Sequence, residues 1–135
     1  MYRKFVALLL VLAVTALAGC KKDDEINAVL ADFDSFTKEL VKKVDAQPTS
    51  AGVDDAQQFL DSKKADLTAK WDSIKGARGF QVSDDTKKKM EESLKNNFMS
   101  VAGLQMKYMS KSMSDPAFKT KLEKLVKDYQ ALYQT

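Results

Sequence analysis

From residue 26 onward the apolar positions recur at three- and four-residue steps, the period of a helix with one buried face. Ile26, Val29, Leu30, Phe33, Phe36, Leu40 and Val44 form the first such stripe, with Lys38, Lys42 and Lys43 off it. Gln47-Pro48-Thr49-Ser50 interrupts the pattern. A second helix is expected from about Ala51 to Lys75, turning Val53, Ala56, Leu60, Leu67, Trp71 and Ile74 inward and ending at Gly76-Ala77-Arg78-Gly79. Ser83, followed by Asp84 and Asp85, reads as a cap with acidic first-turn residues and opens a third helix to about Met113. Asp115-Pro116 restarts the chain, and Phe118, Leu122, Leu125, Tyr129 and Leu132 carry a fourth helix to about Gln134. No segment alternates as a strand would. The expected fold is all-α, an antiparallel four-helix bundle (up-down-up-down) over residues 26–135, with an orthogonal helical array as the competing arrangement.

The first 25 residues follow a different logic. Arg3 and Lys4 precede an uncharged run, FVALLLVLAVTALA, from Phe5 to Ala18. Its fourteen residues fall short of the roughly 20 that span a bilayer but suit the apolar region of a secretory signal. The run leads into Leu17-Ala18-Gly19-Cys20, which resembles the bacterial lipobox. That resemblance implies cleavage of residues 1–19 by the lipoprotein signal peptidase, a diacylglycerol on Cys20 and an acyl chain on the new amine. Two or three acyl chains anchor stably, each buried methylene contributing about 0.8 kcal/mol. Residues 20–25 are then the lipidated cysteine and a charged tether, Lys21-Lys22-Asp23-Asp24-Glu25. Under the sorting rule of enteric bacteria, lysine rather than aspartate after the cysteine favours the outer membrane. The same lysine-then-acid order resembles the surface-export tether of some Bacteroidetes lipoproteins.

Composition narrows the chemistry. The chain has 135 residues, one cysteine and no histidine. An intrachain disulfide is excluded, and the usual general base and metal ligand is missing. Loss of Arg3 and Lys4 with the leader leaves 20 basic groups against 19 acidic ones, and Arg78 is the one arginine among them. Nucleic-acid surfaces favour net positive charge and arginine forks, so no nucleic-acid partner is expected. The pairs Asp54/Asp55, Asp84/Asp85 and Glu91/Glu92 are sequence neighbours. On a helix they point about 100° apart and cannot share a proton. With no nucleophile–base set to draw, the chain reads as a binding protein rather than an enzyme.

Two features carry candidate sites. Met99, Met106, Met109 and Met113 lie within an arc of roughly 80° on the third helix. Three readings compete for them: ordinary core packing, an adaptable apolar surface, and Cu(I) coordination by soft thioethers. The second feature is a matter of length. A fourth helix of about 28 Å leaves part of a 45 Å third helix uncovered at the end nearest Cys20. Ile26, Leu30, Leu67, Trp71, Ile74, Phe80, Val82 and Met90 belong to that level. They form a membrane-proximal groove for a partner helix or acyl chain, unless Phe80 and Val82 fold in from the connection and seal a three-helix core. The functional expectation is a lipid-anchored envelope protein that binds or scaffolds another envelope component. Its architecture resembles that of small helical pilotin lipoproteins. The alternative is a carrier of a small hydrophobic ligand or of Cu(I), and no other cofactor is expected.

Overall fold

The computed structural model describes residues 21–77 and 82–134, so the leader, Cys20, residues 78–81 and Thr135 lie outside it. Five helices occur among the described residues, with no strand: α1 Lys21–Ala46, α2 Ser50–Lys75, α3 Asp84–Lys107, α4 Met109–Ser114 and α5 Pro116–Ala131. The all-helical class is the expected one. Two expectations change. The charged tether is itself helical, forming the opening of α1, where Asp23 and Asp24 face the positive end of the helix dipole. The third helix is broken at Tyr108, whose φ of −105° and ψ of 22° leave the helical region.

Local chemistry sets the boundaries. Thr49 takes an extended conformation and its hydroxyl accepts the Gly52 N–H at 3.1 Å, capping α2. The Ser83 hydroxyl accepts from Thr86 N–H at 3.2 Å, and the Asp115 carboxylate from Phe118 N–H at 3.0 Å with Pro116 in the first turn. The starts at Ser83 and Asp115 are the expected ones, whereas Thr49 caps a helix that opens at Ser50, inside the interruption expected at 47–50. The Tyr108 break has a tertiary cause. Its hydroxyl donates to Asp45 at the end of α1, and its ring stands edge-on to Phe118 of α5, with centroids 5.9 Å apart.

α1 packs against α2 and α3, while α5 packs against α2, α3 and α4. Residue pairs give the directions. Asp32–Lys70 and Phe36–Phe59 run oppositely along α1 and α2, which are antiparallel. Asp23–Ser83, Asp34–Ser93 and Asp45–Lys107 rise together, so α1 and α3 are parallel. Asp54–Lys121 and Gln57–Asp128 make α2 and α5 parallel as well. Direction thus alternates along the chain, but the helices adjacent in sequence are not all adjacent in space. Two antiparallel hairpins lie side by side, and α2 and α3, consecutive in sequence, are not a close-packed pair.

The α1–α3 seam is built on one spacing. Asp23, Asp34 and Asp45 are eleven residues apart, close to three helical turns, and therefore line one face. Asp23 accepts the Ser83 N–H at 3.0 Å. Asp34 accepts from Ser93 Oγ at 2.6 Å and from the buried Asn97 Nδ2 at 2.8 Å. Asp45 accepts from Lys107 Nζ at 2.8 Å and from Tyr108. The Ser83 N–H holds the Asp23 carboxyl below its ordinary range. At Asp45 burial pulls upward, but the bonds from Lys107 and Tyr108 outweigh it and the net shift is also downward.

The core between the hairpins is aromatic. Tyr129, fully buried, lies parallel to Phe36 with centroids 6.4 Å apart and edge-on to Phe98 at 6.2 Å. Its hydroxyl is 2.6 Å from Thr37 Oγ1 and 2.9 Å from the Tyr133 hydroxyl. Thr37 donates to the Phe33 carbonyl at 2.8 Å. Its one proton being used there, Thr37 accepts from Tyr129, which in turn accepts from Tyr133. Burial pushes both phenols up, so both stay protonated and the chain of donors is complete.

Two outcomes follow from these contacts. A Cβ on Gly52 would stand 1.8 Å from the Gln47 carbonyl oxygen, whereas one on Gly76 meets nothing within 4 Å. Helix propensity alone favours alanine over glycine by about 1 kcal/mol. Gly52→Ala is nonetheless expected to destabilise by more than about 2 kcal/mol in urea denaturation, while Gly76→Ala is neutral or mildly stabilising. The second outcome concerns acid. The folded-state pKa values of Asp23 and Asp45 lie below their unfolded ones, so their contribution is complete above about pH 4 and is lost as pH falls below it. Asp45→Asn should flatten the loss of stability between pH 4 and pH 2, measured by denaturation at each pH.

Candidate functional site

Among the described residues, the exposed large apolar side chains are four methionines: Met99, Met106, Met109 and Met113, between 54% and 81% exposed. The core-packing reading is therefore corrected. The physical reason lies in the seam. α3 turns Asn97, Val101 and Leu104 inward, and the apolar arc that the periodicity marked faces solvent.

The methionine face straddles the Tyr108 break. Tyr108 N–H still reaches the Leu104 carbonyl at 3.0 Å, and Ser112 N–H the Tyr108 carbonyl at 2.9 Å. Four-residue hydrogen bonds thus flank the break without crossing it, and α3 and α4 are separate segments. Met109 and Met113 are one turn apart on α4 and flank a cavity of about 240 Å³ with Gln105, Leu122, Lys119 and Glu123. Lys119 and Glu123 face each other at 3.9 Å. The Tyr108–Asp45 contact places this region at the far end of α1, whose 26 residues run about 39 Å from Lys21.

The second candidate, the membrane-proximal groove, is closed. Ile26, Leu30, Leu67, Trp71, Ile74 and Val82 are all buried, and Met90 packs against them. Phe80 lies outside the described residues. Two parts of the chain fill the expected gap. Val82 folds in from the α2–α3 connection, which Asp23 holds through Ser83. Tyr133, past the end of α5, stands edge-on to Trp71 at 5.3 Å and against Phe33 at 5.2 Å and Phe98 at 5.0 Å. The short last helix therefore reaches the tryptophan level through its C-terminal turn.

A larger cavity, about 520 Å³, opens along the α1–α3 seam between Asp34 and Asp45. Thr37, Lys38, Lys42, Asn96 and Ser100 give it a polar wall. Periodicity did not mark this seam, because its residues are polar and its partners come from different helices. The eleven-residue spacing of the aspartates was the available signal. Among the described residues no group of three His, Cys, Asp or Glu side chains could hold a metal ion, and no helix is long and apolar enough to cross a membrane.

Comparison with protein families, curated proteins and solved structures finds no match. The chemistry of the surface has to be argued from its own side chains. Neutral, polarizable thioethers on a solvent-facing helix offer an adaptable apolar contact and soft sulfur donors. They offer no acid or base.

The closed tryptophan level has a direct spectroscopic consequence. Trp71 is 8% exposed, so its emission should be blue-shifted, shielded from acrylamide and unchanged by lipid micelles. A micelle-dependent shift would reopen the groove.

Proposed function

We propose that the chain is an envelope lipoprotein, anchored through Cys20, whose helical domain binds another envelope component rather than catalysing a reaction. The observation that carries the binding half is the methionine face: exposed apolar surface concentrated on α3 and α4, while the other large apolar side chains among the described residues are buried or half-buried. Its position supports the scaffold form of the reading. Cys20 directly precedes α1, and Met106, Met109 and Met113 lie near the far end of that helix, about 39 Å along it. An acyl anchor at one end would leave the contact face directed away from the membrane. A protein partner suits the unbranched methionine side chain, which repacks against irregular surfaces. The hydrophobic-ligand carrier loses support, because the level expected to open is filled by Val82 and Tyr133. Lys21 after the cysteine favours the outer membrane where the enteric sorting rule applies.

Cys20→Ser should abolish labelling by radioactive palmitate and move the protein out of the detergent phase on phase partitioning. A serine variant that keeps both label and membrane association would overturn the anchor. For the partner, a photo-crosslinker at Ser112 should capture one envelope protein in intact cells. Met106→Lys with Met113→Lys should remove that capture without changing the helical circular dichroism.

A further inference from the structure

The exposed methionines raise a question that apolarity alone does not answer. A surface built for apolar contact would expose leucine, isoleucine or phenylalanine as readily as methionine. Here every exposed large apolar side chain among the described residues is a methionine, and each is more than half exposed. Sulfur, rather than hydrophobicity, is the shared property.

We propose that Met99, Met106, Met109 and Met113 are sites of reversible two-electron oxidation, taking oxygen from hydroperoxides and hypohalous acids at the surface of the folded domain. The oxidisable side chains are divided between outside and inside. The four methionines are 54% to 81% exposed, whereas Trp71 is buried against Tyr133 and Tyr129 is fully buried. Met90 is half-buried against the core, and no methionine belongs to the buried core itself. The sequence has no histidine, and its one cysteine is Cys20, so a diffusing oxidant meets few competing groups on the domain surface. The same four positions tolerate an added oxygen. α4 has no buried residue, so Met109 and Met113 stand on a segment that supplies no side chain to the core. α3 turns Asn97, Val101 and Leu104 inward and leaves Met99 and Met106 outside. A sulfoxide at these positions is solvated, whereas one in a core would be buried without a partner.

A sulfur lone pair attacks the terminal oxygen of the hydroperoxide. The S–O bond forms as the O–O bond breaks, and the leaving oxygen takes up the proton and departs as an alcohol, or as water from hydrogen peroxide. With hypochlorous acid the net transfer of oxygen releases chloride and a proton. In each case sulfur loses two electrons and the oxidant gains them. The thioether becomes a sulfoxide, polar and chiral at sulfur. Reversal needs a dithiol reductant and a methionine sulfoxide reductase, one class of enzyme for each epimer. The dithiol becomes a disulfide and the oxygen leaves as water. Four such conversions turn the apolar face into a polar one while the core stays as it is. Oxidation at these sulfurs is independent of the anchor and partner reading.

The test uses the full chain in detergent, treated with a small molar excess of hydrogen peroxide or hypochlorous acid and quenched with free methionine. Peptide mass spectrometry assigns each added oxygen, so that Met1 and Cys20 are counted apart. Met99, Met106, Met109 and Met113 should each gain one oxygen several-fold faster than Met90, with Trp71 unmodified, and Met90 should catch up in urea. The helical circular dichroism and cooperative thermal unfolding should survive all four additions. Both reductase classes together, with dithiothreitol, should return all four to thioethers. Met99→Leu/Met106→Leu/Met109→Leu/Met113→Leu should lose the fast oxygen uptake. Oxidation of Met90 or Trp71 in the folded chain as fast as the four, loss of the helical signal as the four oxidise, or sulfoxides that the paired reductases leave in place would each overturn the proposal.

Discussion

The three aspartates of α1 decide which helices are neighbours. Each hydrogen-bonds a different turn of α3, and their eleven-residue spacing matches α3 over its whole length only if the two helices run parallel. Antiparallel pairing would reverse the order of Ser83, Asn97 and Lys107 against Asp23, Asp34 and Asp45. Charged acceptors make these bonds stronger than neutral ones, and Asn97 is buried, so a mismatch would leave a polar group without a partner. With α3 held beside α1, α2 and α5 occupy the remaining sides.

The aromatic core answers the same constraint from inside. Tyr129 reaches α1 with a hydroxyl as well as a ring, so its position is specified by hydrogen-bond geometry in addition to packing. Tyr133 extends the donor chain beyond α5 and covers Trp71. One turn of chain therefore completes the polar network and also closes the groove that helix lengths alone left open.

Those two features together displace the methionines. A seam made of carboxylates needs polar partners, so α3 gives its Ser93–Asn97 face to α1 and its Val101–Leu104 face to the core. What remains for the methionine arc is solvent. The same seam carries Tyr108 to Asp45, breaks the long helix there, and sets Met109 and Met113 on a short segment of their own. Surface chemistry at the far end of the domain is thus a consequence of the register set along α1.

Much of this was legible in the residues alone. Three- and four-residue periodicity marked α1, α2 and α5, because a buried stripe has to repeat with the helix. Ser83 and Asp115 marked helix starts, because a side-chain oxygen satisfies donors that the helix itself leaves free. Other features needed the tertiary structure. The Tyr108 break has neither glycine nor proline at that position to announce it, and it depends on Asp45 and Phe118 from elsewhere in the chain. Gly52 is required because the Gln47 carbonyl lies where a Cβ would go, a distance set by the turn. The methionine stripe has the period of a core face, and periodicity does not say which of two apolar arcs a helix buries. That choice belongs to its neighbours: Asp34 bonds Asn97 and Ser93, turns α3 about its axis, and leaves the sulfurs facing water.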